Sequence, residues 1–329
     1  MSNVKITLAI SDYDQVRDLT LGRIKPEGID LVSLNLSIEE IFYRFIKFRE
    51  WDVSELSFGK YASLVAQGDG SVTSIPVFPS RVFRQSAIYV RKNAGISKPE
   101  DLAGHKVGIP EWAQTAGIYA RGWLMHQVGL RLQDIEWVQA GVNQPGRVEK
   151  VALNLPDGVS YRSNPGGNLS DMLLDGDIDA LISAHPPTCI KIQDPRVRRL
   201  IEDYVAVEEA YWRETGIFPI MHTVAIRTST LEAHPWVAMN MYKAFEEAKK
   251  NSVERAHEIT ATRFPIPWCF DHARRMGEFF GGDYWPYGIE QNRTTLENFL
   301  LFAYEQGVCQ RRLDVEELFV KEVQSSFAV

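Results

Sequence analysis

Cysteine is scarce in this chain. There are three in 329 residues, Cys189, Cys269 and Cys309, far apart and without a Cys-x-x-Cys pair. An odd, scattered set argues against a disulfide framework or a structural zinc site. Long apolar runs are missing too: none approaches the roughly 20 residues needed to cross a bilayer. The apolar stretch near the N-terminus is short and runs at once into Asp12 and Asp14. A secretory signal needs more, so a cytoplasmic location is expected. Excess positive charge is also absent. Thirty-six basic residues against 43 acidic ones give a net charge of −7, which speaks against nucleic-acid binding through a general basic field. The cluster Arg196, Arg198 and Arg199 is too small to change that. No Gly-x-Gly-x-x-Gly opens a helix and no Gly-x-x-x-x-Gly-Lys-Ser/Thr occurs, so nucleotide phosphate cradles are unsupported. His257-Glu258 starts like a zincin helix, but Ala261 stands where the second histidine belongs. Ser57-Phe-Gly-Lys60 has Ser-x-x-Lys spacing without the Lys-Thr-Gly or Ser-Asp-Asn that accompany it in penicillin-recognising enzymes, and no Gly-x-Ser-x-Gly elbow is present.

What is present reads as an ordinary globular chain, 45% hydrophobic and 24% charged, long enough for two domains. Val4 to Ile10 and Ile29 to Leu36 are apolar runs of strand length, and Asp52 to Leu56 is a third candidate. Ser37 and Glu40 have capping-box spacing before Ile38, Ile41, Phe42 and Phe45, which fall on one helical face. Ser74 to Pro79, with two prolines, reads as a connector. After the extended segment Phe83 to Arg91, a second alternating unit begins. Its strands are expected at Lys106 to Ile109, Ile135 to Gln139, Val159 to Arg162 and Ile178 to Ser183, with helices over Ile118 to Val128 and Leu169 to Leu174. Phe218 to Arg227 is another extended segment, and the rest is helical. This alternation predicts an α/β fold with mainly parallel sheets. Two extended segments enclosing one unit predict a discontinuous first domain (1–94 plus 218–329) and an inserted second domain (95–217). A ligand cleft would lie between them at the carboxyl ends of the strands.

The polar residues at expected strand ends are the site candidates. Asp12, Tyr13 and Asp14 follow the first strand, and Glu55 and Ser57 the third. Arg81 and Arg84 precede the first crossover, while Trp112 and Thr115 lie at a helix start. Arg162, His185 and His222 complete the set. A guanidinium fork grips carboxylates bidentately, so the arginines suit an acidic ligand. Each has a bland alternative: a cap for the aspartates, an interdomain ion pair for the arginines, a satisfied core position for His222.

Several stretches together resemble a known family. Asp101-Leu-Ala-Gly-His-Lys-Val-Gly-Ile-Pro110 and Asp177-Ile-Asp-Ala-Leu-Ile-Ser183 resemble segments of type II periplasmic-binding-protein folds. Thr215-Gly-Ile-Phe-Pro-Ile-Met-His222, His234-Pro-Trp-Val-Ala, Lys243-Ala-Phe-Glu-Glu-Ala-Lys249 and Gln144-Pro-Gly-Arg147 resemble the 4,5-dihydroxyphthalate decarboxylase family. In that family an arginine commonly stands where this chain has His185. The resemblance implies a two-domain type II periplasmic-binding-protein-like fold with a central cleft and a helical C-terminal region. It further implies a cytoplasmic enzyme of aromatic catabolism that decarboxylates a hydroxylated aromatic carboxylic acid, with 4,5-dihydroxyphthalate giving protocatechuate and CO2 as the expected reaction. No organic cofactor is expected, a divalent metal is left open, and neither nucleic acid nor membrane is expected as a partner; a homo-oligomer is left open. Within it, His222 is the expected proton donor, since an imidazole titrates near neutrality. His185 is the rival, and Glu55 orients an imidazole or acts as the acid. Asp12, Tyr13, Asp14, Ser57, Arg81, Arg84, Trp112, Thr115 and Arg162 are expected to contact substrate. The alternative is a non-catalytic solute receptor of the same fold, because a fold alone does not fix function.

Overall fold

A computed structural model describes residues 3–324. Eleven strands and eleven α-helices follow one another in the order β1 (Val4–Ile10), α1 (Asp14–Thr20), β2 (Ile29–Asn35), α2 (Ile38–Phe48), β3 (Val53–Ser57), α3 (Phe58–Ala66), β4 (Val72–Arg81), β5 (Ile88–Arg91) and β6 (Lys106–Ile109). Then come α4 (Thr115–His126), β7 (Glu136–Gly141), β8 (Ser160–Asn168), α5 (Leu169–Asp175), β9 (Ala180–Ile182), α6 (Thr188–Lys191), β10 (Val197–Arg199) and α7 (Tyr204–Thr215). The last stretch is β11 (Ile220–Arg227), α8 (Thr228–Ala233), α9 (Val237–Ala256), α10 (Cys269–Phe280) and α11 (Arg293–Glu305).

These strands form two sheets, ordered β2-β1-β3-β11-β4 and β10-β5-β9-β6-β7-β8. In the first, β1 pairs in parallel with β2 and β3, while β11 runs antiparallel to β3 and β4. In the second, β6, β7, β8 and β9 are joined in parallel and β5 is antiparallel to β9 and β10. The apolar runs Val4–Ile10 and Val53–Ser57 became central strands because both faces are covered by helices, the arrangement parallel sheets require.

Three expectations need correction. Ile88–Arg91 pairs with β9 and β10, so the chain reaches the second sheet before residue 88 and not after residue 94. Ser74 to Pro79 is no connector but the middle of β4, an edge strand; an edge leaves one side without ladder donors, where proline is tolerated. Ser37 sits at the N-cap of α2 but makes no side-chain cap bond, and Glu40 is drawn instead into an ion pair with Arg44 at i+4.

The two sheets share one hydrophobic core. Helix α4, from the second unit, packs on α11, from the C-terminal end of the first. Arg121 on α4 is fully buried. Its guanidinium lies 4.1 Å from the Trp112 ring centroid, and its Nε donates to Gln306 Oε1 at 2.8 Å. Gly122 lets the Phe302 ring approach the α4 backbone more closely than any Cβ would permit. Tyr119 Oη accepts the backbone N–H of Ile220 at 3.1 Å, tying α4 to the start of β11. The carboxyl ends of β1, β3 and β6 thereby converge on a single region between the sheets.

Candidate active site

Strand β3 is buried at all five residues, yet Glu55 stands at its centre with no exposed side-chain surface. A carboxylate taken out of water must be compensated by donors. Glu55 has three. Its Oε1 accepts from Tyr13 Oη at 2.6 Å and from His222 Nδ1 at 2.6 Å, and its Oε2 accepts the backbone N–H of Ser11 at 2.9 Å. Tyr13 is placed by the N-cap position of α1, just beyond β1. His222 is placed by β11, where it pairs in register with Ser57. Glu55 and His222 are 167 positions apart in the chain, and the β3–β11 ladder brings them together.

This network fixes the imidazole. An ionised Glu55 accepts and cannot donate, so the hydrogen between them is assigned to Nδ1 of His222. Tyr13 Oη is also 3.3 Å from Nδ1, a secondary contact once the phenol donates to Glu55. Burial first, then the charge of Glu55 and its hydrogen bond, push the Tyr13 phenol far above its ordinary pKa, so it remains a donor. Phe42 meets the His222 ring edge-on at 4.9 Å between centroids and limits its rotation. The His222 side chain keeps 15% exposure, and its Nε2 has no hydrogen-bond partner among the described residues. The result is an imidazole oriented on one nitrogen by a buried carboxylate and free on the other.

Around this dyad the structure gathers some of the expected residues. Ser57 Oγ lies 3.0 Å from Thr115 Oγ1, and the same hydroxyl accepts Gly59 N–H at 2.9 Å. That bond links the end of β3 to the first turn of α4 across the two units. Arg84, in the first crossover, is half-buried and forms no ion pair among the described residues. Its Nε and Nη2 point at Met221 Sδ at 3.1 and 3.0 Å, and its Nη1 is 3.5 Å from the carbonyl of Ala184. Thioether sulfur is a weak acceptor, so the guanidinium lacks a strong partner. Burial pushes it down to about 10, only partly offset by Tyr89 and Glu208. Met221 and Ala184 are the chain neighbours of His222 and His185, and the Met221 side chain leaves β11 on the face opposite to His222.

His185 is itself 63% exposed and forms a 3.5 Å ion pair with Glu39 at the start of α2. The His185 imidazole holds the Glu39 carboxyl down to about 2, and the charge of Arg147 adds to that. His185 therefore faces Glu39 at the mouth, and makes no contact with the dyad.

Other candidates lie elsewhere. Arg81 is buried, but its donors go to the carbonyls of Phe218 (3.0 Å) and Pro286 (2.8 Å) and to Asn292 Oδ1. It holds the C-terminal loops together and is not free for substrate. Trp112 is fully buried against Trp137 and Arg121, with Nε1 donating to the Gln306 carbonyl at 2.7 Å; it is core. Asp14 pairs with Arg255 at 3.0 Å and Arg17 at 2.8 Å and anchors α9 on α1. Asp12 and Arg162 are exposed and form no ion pair among the described residues.

One cluster escaped the sequence reading. Glu111, just past β6 and buried, is 2.8 Å from Lys60 Nζ, 2.7 Å from Arg147 Nε and 3.4 Å from Lys150 Nζ. Burial pushes the Glu111 carboxyl up, but the three cations outweigh it and hold it below the ordinary value. Lys60 is lowered, chiefly by burial and also by the neighbouring Lys150 and Arg147. The Ser-x-x-Lys spacing thus conceals an ion pair: Lys60 serves Glu111 and not the Ser57 hydroxyl. A glutamate directly after a strand end was the available signal. Among the described residues no group of three His, Cys, Asp or Glu side chains clusters as metal ligands, and no helix is long and apolar enough to cross a membrane.

No protein-family model matches the chain. It is 36% identical over 330 residues, the full length of both chains, to a 4,5-dihydroxyphthalate decarboxylase of Comamonas testosteroni. A 4,5-dihydroxyphthalate decarboxylase of Pseudomonas putida is 34% identical over 214 residues, which is 65% of this chain and 83% of that one. Among solved structures, a putative periplasmic sulfonate-binding protein SsuA from Methylobacillus flagellatus superposes with a TM-score of 0.54 at 14% identity, covering 97% of this chain and 92% of that one. The aliphatic sulphonate binding protein SsuA of Escherichia coli gives 0.52 at 14% identity with the same coverage. These two likenesses establish the periplasmic-binding-protein-like fold.

Proposed function

The chain belongs to the 4,5-dihydroxyphthalate decarboxylase family and is a carboxy-lyase acting on an aromatic acid; we propose that the Tyr13–Glu55–His222 cluster is its reaction centre, with His222 as proton donor and no organic cofactor. The substrate is 4,5-dihydroxyphthalate and the products are protocatechuate and CO2. The observation that carries the assignment is the 2.6 Å bond from His222 Nδ1 to a fully buried Glu55, which leaves Nε2 unengaged.

The chemistry asks for one proton at one carbon. The hydroxyl para to the departing carboxylate feeds electron density into the ring. Nε2–H of the imidazolium protonates the ipso carbon, the C–C bond to the carboxylate breaks, its electron pair returns to the ring, and CO2 leaves. The imidazole ends neutral and regains its proton from solvent. Glu55 stabilises the imidazolium before transfer and holds the ring in place, the role a buried carboxylate plays beside a histidine acid–base. Tyr13 donates to Glu55 and helps to hold it in place. Arg84, poor in partners, orients a substrate carboxylate. The same reading places the enzyme in the cytoplasm, with a small aromatic carboxylate as its partner.

The test is CO2 release from 4,5-dihydroxyphthalate by purified wild-type protein and by His222→Gln, with and without a chelator. General acid catalysis is worth about 10²–10⁴-fold, so kcat should fall by that much in the variant. Turnover within a few-fold of wild type would remove His222 from the mechanism, and loss of wild-type turnover on chelation would show a divalent metal to be required.

A further inference from the structure

We infer that Lys60, Arg147 and Lys150, gathered around Glu111, form a second carboxylate subsite that selects an ortho-dicarboxylate over a monocarboxylate. This inference rests on the reading of the reaction given above.

Charge count is the first argument. Three cations lie within 3.4 Å of a single carboxylate, so cations outnumber acids at contact distance where solvent is partly excluded. Glu149, a further acid nearby, turns its Oε2 to the backbone N–H of Ala113 at 3.1 Å and its Oε1 to the N–H of Lys150 at 2.9 Å, and forms no ion pair with the three among the described residues. Accessibility is the second. Lys60 and Glu111 are buried, but the Arg147 side chain keeps 27% exposure and that of Lys150 41%. Arg147 reaches Glu111 through Nε, and its two terminal nitrogens have no partner among the described residues. A guanidinium anchored on Nε presents its terminal edge as a fork to an incoming carboxylate.

Location is the third. Lys60 is one helical turn beyond Ser57, and Glu111 is four residues before Thr115; those hydroxyls meet at 3.0 Å at the end of the strand that carries Glu55. The cluster therefore lies beside the Ser57–Thr115 contact, close to the carboxyl end of the strand that carries Glu55. A carboxylate that becomes neutral CO2 gains nothing from a strong cationic site, whereas one that stays on the ring does. The subsite thus suits the retained carboxylate.

Phthalate and benzoate are suitable probes, because neither carries the para hydroxyl that drives the reaction. Their dissociation constants are measured by titration calorimetry on wild-type protein and on Arg147→Gln, with Lys150→Gln as a second variant and thermal melting as the check on folding. Wild-type protein should prefer phthalate, and Arg147→Gln should shrink that preference by roughly 10- to 100-fold, as expected for losing a contact to a charged, half-exposed partner. An unchanged phthalate-to-benzoate ratio in both folded variants, or equal weakening of both ligands, overturns the subsite. If the preference collapses while wild-type protein releases no CO2 from 4,5-dihydroxyphthalate, the subsite stands and the reaction assignment falls.

Discussion

Glu55→Gln is the sharpest perturbation of this site, because it removes a charge while preserving volume. Three donors converge on the native carboxylate: Ser11 N–H on one oxygen, Tyr13 Oη and His222 Nδ1 on the other. An amide offers one acceptor oxygen and one donor nitrogen. If its oxygen faces His222, the Ser11 N–H meets an NH2 and is left unpaired, at a cost of about 1–3 kcal/mol. If it turns the other way, the NH2 faces His222 and forces the hydrogen onto Nε2 of a neutral ring. Either way the imidazolium loses its counter-charge. A hydrogen bond to a charged group is worth about 1.5–3 kcal/mol, which converts to roughly 10- to 150-fold in rate. Misorientation adds to this, so kcat should fall by about 10²–10⁴. The assay is CO2 release, with urea unfolding run in parallel to confirm that the fold survives. A folded variant with kcat within a few-fold of wild type would refute the reasoning.

Two further outcomes are expected. Arg84→Gln should lower kcat/KM by an amount corresponding to about 2–5 kcal/mol if the under-satisfied guanidinium grips a carboxylate; an unchanged kcat/KM in steady-state kinetics would show it to be structural. Asp18→Asn should destabilise the fold at neutral pH. Burial pushes the Asp18 carboxyl up, but hydrogen bonds from Arg255, Arg23 and Asn251 together hold it below its ordinary value. A depressed carboxyl stabilises above its unfolded pKa and loses that contribution as pH falls through the folded one. The difference in urea midpoint between wild type and Asp18→Asn should therefore be full at pH 7 and close below about pH 4, near the unfolded aspartate value; a gap independent of pH would contradict this.

Periodicity and strand-length runs carried most of the architecture, because buried parallel strands and amphipathic helices leave direct marks on a sequence. Sheet order left no such mark. Ile88–Arg91 reads the same whether it joins the first sheet or the second, and its partner β9 lies far along the chain. The site divides along the same line. Glu55 was visible as a polar residue at an expected strand end, and His222 through the family-like segment around it. Their contact depends on the β3–β11 ladder, a long-range pairing that no local pattern specifies. Arg81 and Arg84 look equivalent as residues three apart, yet one is enclosed by the carbonyls of the C-terminal loops and the other by a thioether. His185 was expected as the rival donor, yet it is exposed and pairs with Glu39. Arg147 was noticed only within a family-like motif, since its function depends on Glu111, a strand away.

The splice between α4 and α11 has a consequence for ligand exchange. Solute receptors of this architecture have two lobes joined by crossovers, and a lobe can swing only if little else connects them. Here the C-terminal helix of one lobe is packed into the other, with Arg121 enclosed between Trp112 and Gln306 and Phe302 seated over Gly122. Wide opening would bring a guanidinium and an aromatic face into water together, which makes the open state a high-energy excursion. Ligand entry and product escape then depend on local movements and not on a swing of whole lobes. A receptor uses part of its binding energy to draw the lobes shut; a catalyst whose walls are already in place keeps that energy for aligning the scissile carboxylate with the proton that replaces it.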